Sequence, residues 1–143
     1  MSVGVRRAAA PDAARLAQLS TALGYPMTTD DAARRLAEIA RHPDHAILVA
    51  EAGDRVEGWI QVSLPRIFET PRQAEIAGLI VDERARGSGI GRQLVAAAQA
   101  WALEQGCRAI RVRSNVIRER AHTFYERAGF REIKTQKVLE KKF

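Results

Sequence analysis

Gly87, Gly89 and Gly91 stand at alternate positions between an apolar run ending at Val81 and a stretch, Ile90–Gln105, that is apolar along one helical face. This is the feature that most restricts the fold. A strand must stop, turn within a few residues and start a helix. Glycine lets backbone N–H groups come close to an anion, and the helix start adds unpaired donors and a partial positive charge. Arg86 and Arg92 flank the turn and can add charge-assisted bonds. The same glycines also suit a bare turn that only lets strand and helix pack closely. The G-x-x-x-x-G-K-[ST] loop is absent, because Arg92 follows Gly91. The spacing also fails G-x-G-x-x-G, and the region near Arg111–Arg113 offers no acidic ribose ligand. A G-x-S-x-G elbow fails because Arg86 lies two before Ser88.

The rest of the chain supplies elements around this turn. Val3–Ala8 reads as a strand. Pro11 and Asp12 open a helix carrying Leu16, Leu19 and Leu23, which Gly24 ends. Thr28–Asp31 caps a second helix with Ala32, Leu36, Ile39 and Ala40 on one face. Ala46–Ala50 and Val56–Leu64 form a hairpin about Gly53–Asp54. Pro65–Pro71 is a loop, and Gln73–Val81 is a strand. After the helix at Ile90–Gln105 come a strand at Ala109–Val112, a helix at Arg118–Arg127 capped by Gly129, and a final strand or strand pair at Phe130–Leu139. The predicted order is β-α-α-β-β-β-α-β-α-β: an α/β (α+β) layout with helices against a mixed, mostly antiparallel central sheet. No repeat or linker breaks it, so residues 1–143 are expected to form one domain.

Composition narrows the class. Lys and Arg number 23 against 17 Asp and Glu, a net charge of +6. That surplus suits an anionic partner or a solvated surface equally. No helix-turn-helix, aromatic-rich basic strand or zinc pattern points to nucleic acid. No apolar stretch is long enough to span a membrane, and Met1–Ala10 lacks the apolar core of a signal peptide. The single Cys107 excludes an internal disulfide and fits a reducing, cytoplasmic setting. His42, His45 and His122 are too scattered for a metal site, so none is expected.

Two motifs, in order along the chain, carry a resemblance. Arg86-x-x-Gly89-x-Gly91, led in by Leu79-Ile80-Val81-Asp82-Glu83, resembles the acyl-CoA pyrophosphate loop of the GNAT superfamily of N-acyltransferases. Ala121-His122-Thr123-Phe124-Tyr125-Glu126-Arg127-Ala128-Gly129-Phe130 resembles its A-x-x-x-Y-x-x-x-G-F segment. With the element order, the likeness spans nearly the whole chain. It implies acetyl-CoA as co-substrate, with no metal. Phosphates would be held by Arg86, Gly87, Ser88, Gly89, Ile90, Gly91 and Arg92, and the pantetheine arm by backbone groups at Leu79, Ile80 and Val81. The family often places an Asn at the position of Arg118; Asn115 is the candidate to take that contact.

The resemblance also implies a chemistry. An amine must lose a proton, the reactants must be held together, the carbonyl oxygen must be stabilised and the departing thiolate must be protonated. Tyr125 is the candidate acid and also contacts the cofactor. Glu75 is the candidate base, on a face that depends on any local bulge in its strand. His122 is a weaker base candidate, and as a bland alternative a surface helix residue. Nothing activates Cys107, so direct transfer in a ternary complex is expected. Acceptor contacts are expected at Tyr25–Asp30, Pro65–Pro71 and Ile133–Gln136, with Trp59 lining the site or lying in the core. The acceptor is a small-molecule or protein amine. A longer acyl group, a non-catalytic acyl-CoA-binding module and a homodimer all stay open.

Overall fold

The computed structural model describes residues 2–114 and 116–143. It comprises two compact units, Met1–Val112 and Arg113–Phe143. The first unit is built on a five-stranded sheet in the order β1 (Val3–Arg7), β2 (His45–Ala52), β3 (Arg55–Ser63), β4 (Ala74–Val81) and β5 (Ile110–Val112). The first four strands pair antiparallel, and β4 pairs with β5 parallel. A parallel pair needs a long crossover, which α3 (Ile90–Glu104) supplies.

Adjacent β3 residues show how the helices divide. On one face Trp59, Val49 and Ile80 pack with Leu16 and Leu19 of α1 (Ala13–Ala22) and Leu36 of α2 (Thr29–Ala40). On the other, a side chain at Gly58 would meet Leu94 and Ile90 of α3. Ile60, Val62 and Leu94 are fully buried. The sheet is thus covered on both faces, which explains the continuous apolar run Ala46–Ala50 in β2 and the apolar pair Trp59–Ile60 at the middle of β3.

Local chemistry sets the element ends. A 3-10 turn at Ala10–Asp12 precedes α1. Asp12 accepts from the Ala9 N–H at 2.7 Å and from Arg6 at 2.8 and 3.0 Å. Chiefly through Arg6, its carboxyl lies below the usual carboxylate range. Thr28 and Asp31 form a reciprocal capping box at the start of α2, with Asp31 N–H donating to Thr28 Oγ1 and Thr28 N–H to the Asp31 carboxylate.

The second unit holds α4 (Glu119–Arg127), with Gly129 at φ 97° just beyond it. The strand expected at Phe130–Leu139 is not formed: residues 130–143 carry no strand or helix. Phe130 N–H is held by Tyr125 O at 2.9 Å. Beyond it Ile133, Val138 and Leu139 are exposed among charged neighbours. Ile133, Val138 and Leu139 do not alternate with polar residues, so the stretch lacks the period of two of a half-buried strand.

Candidate active site

The register of β4 against β3 slips by one residue. Val62 pairs with Ile76 but Gln61 pairs with Gly78, leaving Ala77 as the extra residue of a β-bulge. The slip has two consequences. Without it, Glu75 would share a face with Leu79 and Val81. With it, Glu75 shares a face with Gly78 and Ile80, opposite Ser63, Gln61 and Trp59 of β3. Glu75 is therefore on the α1–α2 side of the sheet, half-buried, with Arg111 on the adjoining rung of β5. Trp59 lies over Gly78 so closely that a Cβ there would stand 2.9 Å from its ring.

The second consequence concerns the backbone. Asp82 N–H donates to Glu57 O at 2.8 Å, which fixes the direction of the alternating groups along β4. Gly78 and Ile80 turn their N–H and C=O toward β3; Leu79 and Val81 turn theirs the other way. On that side the pairing with β5 ends at Ile76–Val112, and among the described residues no strand continues it. Leu79 and Val81 thus offer backbone groups at an unladdered edge. Ile80 does not: its backbone faces β3 and its side chain, 7% exposed, lies in the core with Leu16, Leu19 and Val49.

This edge runs directly into the glycine turn. Asp82 accepts from Arg84 N–H at 3.0 Å and starts a 3-10 turn at Glu83–Ala85. Ser88 turns its hydroxyl back to Ala85 O. Gly87 and Gly89 take φ of 83° and 88°, left-handed values that a side chain would strain. Gly89 is the N-cap of α3, and its carbonyl accepts the first intrahelical bond, from Gln93 N–H at 3.1 Å. The N–H groups of Ile90, Gly91 and Arg92 come before that bond and so emerge from the helix start. Arg86 is partly exposed, with its guanidinium 3.9 Å from Glu83, and Arg92 is exposed. Backbone donors, helix dipole and cations converge where the sequence placed them.

The loop is anchored from α1. The Arg15 guanidinium donates to Val56 O at 2.7 Å, Gln18 Oε1 at 2.9 Å and Asp82 Oδ2 at 2.7 Å, and lies 3.6 Å from Glu57. Arg15 and Asp82 side chains are each only 15% exposed. The Arg15 bond holds the Asp82 carboxyl below its usual range. Sequence reading did not single out Arg15; an arginine on an amphipathic helix has no local signature.

In the second unit Tyr125 is half-buried on α4, edge-on to Phe124 at 5.1 Å and Phe130 at 5.4 Å between ring centroids. Burial pushes its phenol up to about 12. His122 lies one turn earlier on the same helix. Asn115 lies outside the described residues. Surface hollows framed by described residues of the first unit include two with room for a small molecule. One, of about 520 Å³, lies between α1 and the start of α2 and is lined by Ala17, Thr21, Met27 and Thr28. The other, of about 370 Å³, is framed by the β3–β4 loop, including Arg66, Phe68 and Arg72. Cys107 is buried, and no group of potential metal ligands occurs among the described residues. No helix among them is long and apolar enough to cross a membrane.

The likenesses of the whole chain agree with this geometry. Residues 13–130 match the Acetyltransferase (GNAT) family. The chain is 32% identical to aminoglycoside N(6')-acetyltransferase type 1 of Stenotrophomonas maltophilia, over 94% of this chain and 89% of that one. Among solved structures it resembles a transcriptional regulator from Bacillus halodurans, with 28% identity, a TM-score of 0.83 and coverage of 99% and 100% of the two chains. The fold also matches AAC(6')-Iy in complex with a bisubstrate analogue, CoA-S-monomethyl-acetylneamine, at 19% identity and a TM-score of 0.89, over all of both chains. The chain belongs to the GNAT acetyltransferase family: it is an N-acetyltransferase that moves the acetyl group of acetyl-CoA to an amine.

Proposed function

We propose that the acyl donor lies along the open edge of β4 and ends on the glycine turn, and that the acceptor is a small polyamine of the amino-sugar class. The observation carrying the donor half is the bulge at Ala77, which leaves Leu79 and Val81 turned outward directly before the turn. Leu79 and Val81 supply hydrogen bonds to the amide-containing arm; Ile80, committed to β3 and the core, is set aside. The N–H groups from Gly87 to Arg92, with the Arg86 and Arg92 side chains, receive the phosphates. The family match over residues 13–130 crosses the boundary at Val112, which supports a single catalytic domain over 1–143.

In this reading Glu75 takes a proton from the bound ammonium. The free amine attacks the thioester carbonyl, the C–N bond forms, the nitrogen sheds its second proton to solvent, and the C–S bond breaks. Tyr125 gives the departing thiolate its proton and recovers one from solvent. A phenol raised to about 12 stays protonated at neutral pH and so remains a donor. The acceptor class draws its support from the Stenotrophomonas relative, whose name specifies an aminoglycoside. One hollow is lined by Arg72, which repels a polycation, and by Arg66, whose charge is already met by Asp44. The hollow between α1 and α2 has no cationic residue in its lining, and Asp30 follows its lining residue Thr29 in the chain, so it suits a polycation better. A cytoplasmic setting is supported by the unpaired Cys107, and a homodimer by family habit; light scattering tests the latter.

Calorimetric titration with CoA tests the donor half. The double variant Arg86→Glu, Gly89→Asp is expected to lose binding, and unchanged affinity removes the loop assignment. A screen of amines followed by thiol release tests the acceptor. Amino sugars are expected to turn over and lysine-containing peptides not to; the reverse pattern overturns the class.

A further inference from the structure

We infer that Arg15 is a positioning residue for acyl-donor binding: it fixes, through Asp82, the place where β4 ends and the glycine turn begins. The inference rests on the loop assignment proposed above. Asp82 is the hinge point of that segment. Its N–H belongs to the β3 ladder, through Glu57 O at 2.8 Å. Its carbonyl accepts from Ala85 N–H at 2.9 Å, and its carboxylate from Arg84 N–H at 3.0 Å, so both ends of the residue shape the 3-10 turn that leads to Gly87. The second carboxylate oxygen goes to Arg15 at 2.7 Å.

Arg15 is in turn held from three directions. Its Nε reaches Val56 O, next to the point where β3 bulges against β2: Ala50 pairs with Gly58 and Glu51 with Val56, so that Glu57 is the extra residue. One terminal nitrogen bonds Gln18 on the same helix, and the other meets both Asp82 and Glu57. The planar fork of a guanidinium can serve these partners at once. A lysine ammonium cannot reach them all. The group is mostly buried, so its directional bonds are retained far better than those of an exposed pair. Arg6, which pairs with Asp12 and Glu51 at the same end of α1, serves as the comparison: it braces β1 and the helix start, and its ion pairs do not involve the donor turn.

The test compares CoA affinity with thermal stability in the full chain. Arg15→Met and Asp82→Asn are each expected to weaken CoA binding about fivefold or more, and to raise KM for acetyl-CoA with kcat nearly unchanged. The double variant is expected to be no weaker than either single one, since both remove the same link. Arg15→Lys, the variant kept in case Arg15→Met fails to fold, is expected to recover stability more fully than CoA affinity. Arg6→Met is expected to lower the melting temperature and leave CoA affinity unchanged. Wild-type CoA affinity in folded Arg15→Met or Arg15→Lys overturns the inference. So do effects of Arg15→Met and Asp82→Asn that multiply in the double variant. If the Arg86→Glu, Gly89→Asp protein still binds CoA, the loop assignment itself has failed, an outcome distinct from failure at Arg15 alone.

Discussion

A tyrosine becomes a useful acid by staying neutral. Tyr125 does so because burial beside Phe124 and Phe130 disfavours the phenolate, pushing its pKa to about 12 from an ordinary value of 10.0. The sign for stability follows. Below the unfolded phenol's pKa both states are protonated and this contribution is fully present. As pH rises toward 12 the unfolded chain ionises first, so stability falls across that window. Ultraviolet titration of the phenols is expected to show a component near 12 that Tyr125→Phe removes. Turnover in the wild type is expected to show no loss from tyrosine ionisation up to about pH 10. Tyr125→Phe is expected to lower kcat by roughly 10²-fold or more, the usual scale for losing a general acid, with little change in CoA affinity. The motif made Tyr125 and the glycines legible in the sequence. Arg15 was not, because its partners Val56, Glu57 and Asp82 are remote in the chain and meet it only through the fold.

At the scale of elements, most strands and helices could be read from apolar periodicity, within a residue or two at their ends. The helix following the turn is the clearest case: Ile90, Leu94, Val95, Ala98 and Trp101 are all buried. Leu94 is fully buried where α3 crosses β3 at Gly58. Leu94→Ala is therefore expected to cost about 2–5 kcal/mol in denaturant unfolding while leaving CoA affinity in the folded fraction intact. The bulges were illegible. A strand pattern carries a period of two, and one inserted residue changes the face of everything beyond it without changing the composition. Glu75 was legible as a strand residue, but its face was decided at Ala77. The expected last strand is not formed. Apolar residues in 131–143 are sparse and show no period of two.

For the whole molecule, the surplus of six positive charges suits an anionic partner or a solvated surface equally when read from composition alone. Ion pairing matches Arg6, Arg15 and Arg66 with Asp12, Asp82 and Asp44 and leaves the surplus on other residues. Arg86 and Arg92 stay available at the turn. Because those two are partly or fully exposed, their attraction for phosphates is screened by salt. KM for acetyl-CoA is expected to rise several-fold between about 50 and 500 mM salt, and the rise should flatten in Arg86→Gln. The bulged strand has one more consequence, visible in time rather than in space. Along β4 successive amides face opposite ways: Gly78 and Ile80 toward β3, Leu79 and Val81 toward the proposed donor edge. Amide hydrogen exchange should record this as an odd-numbered signature. Adding CoA slows the amides of Leu79 and Val81 and leaves those of Gly78 and Ile80 as they were, so a strand spectrum read residue by residue becomes a gauge of donor occupancy.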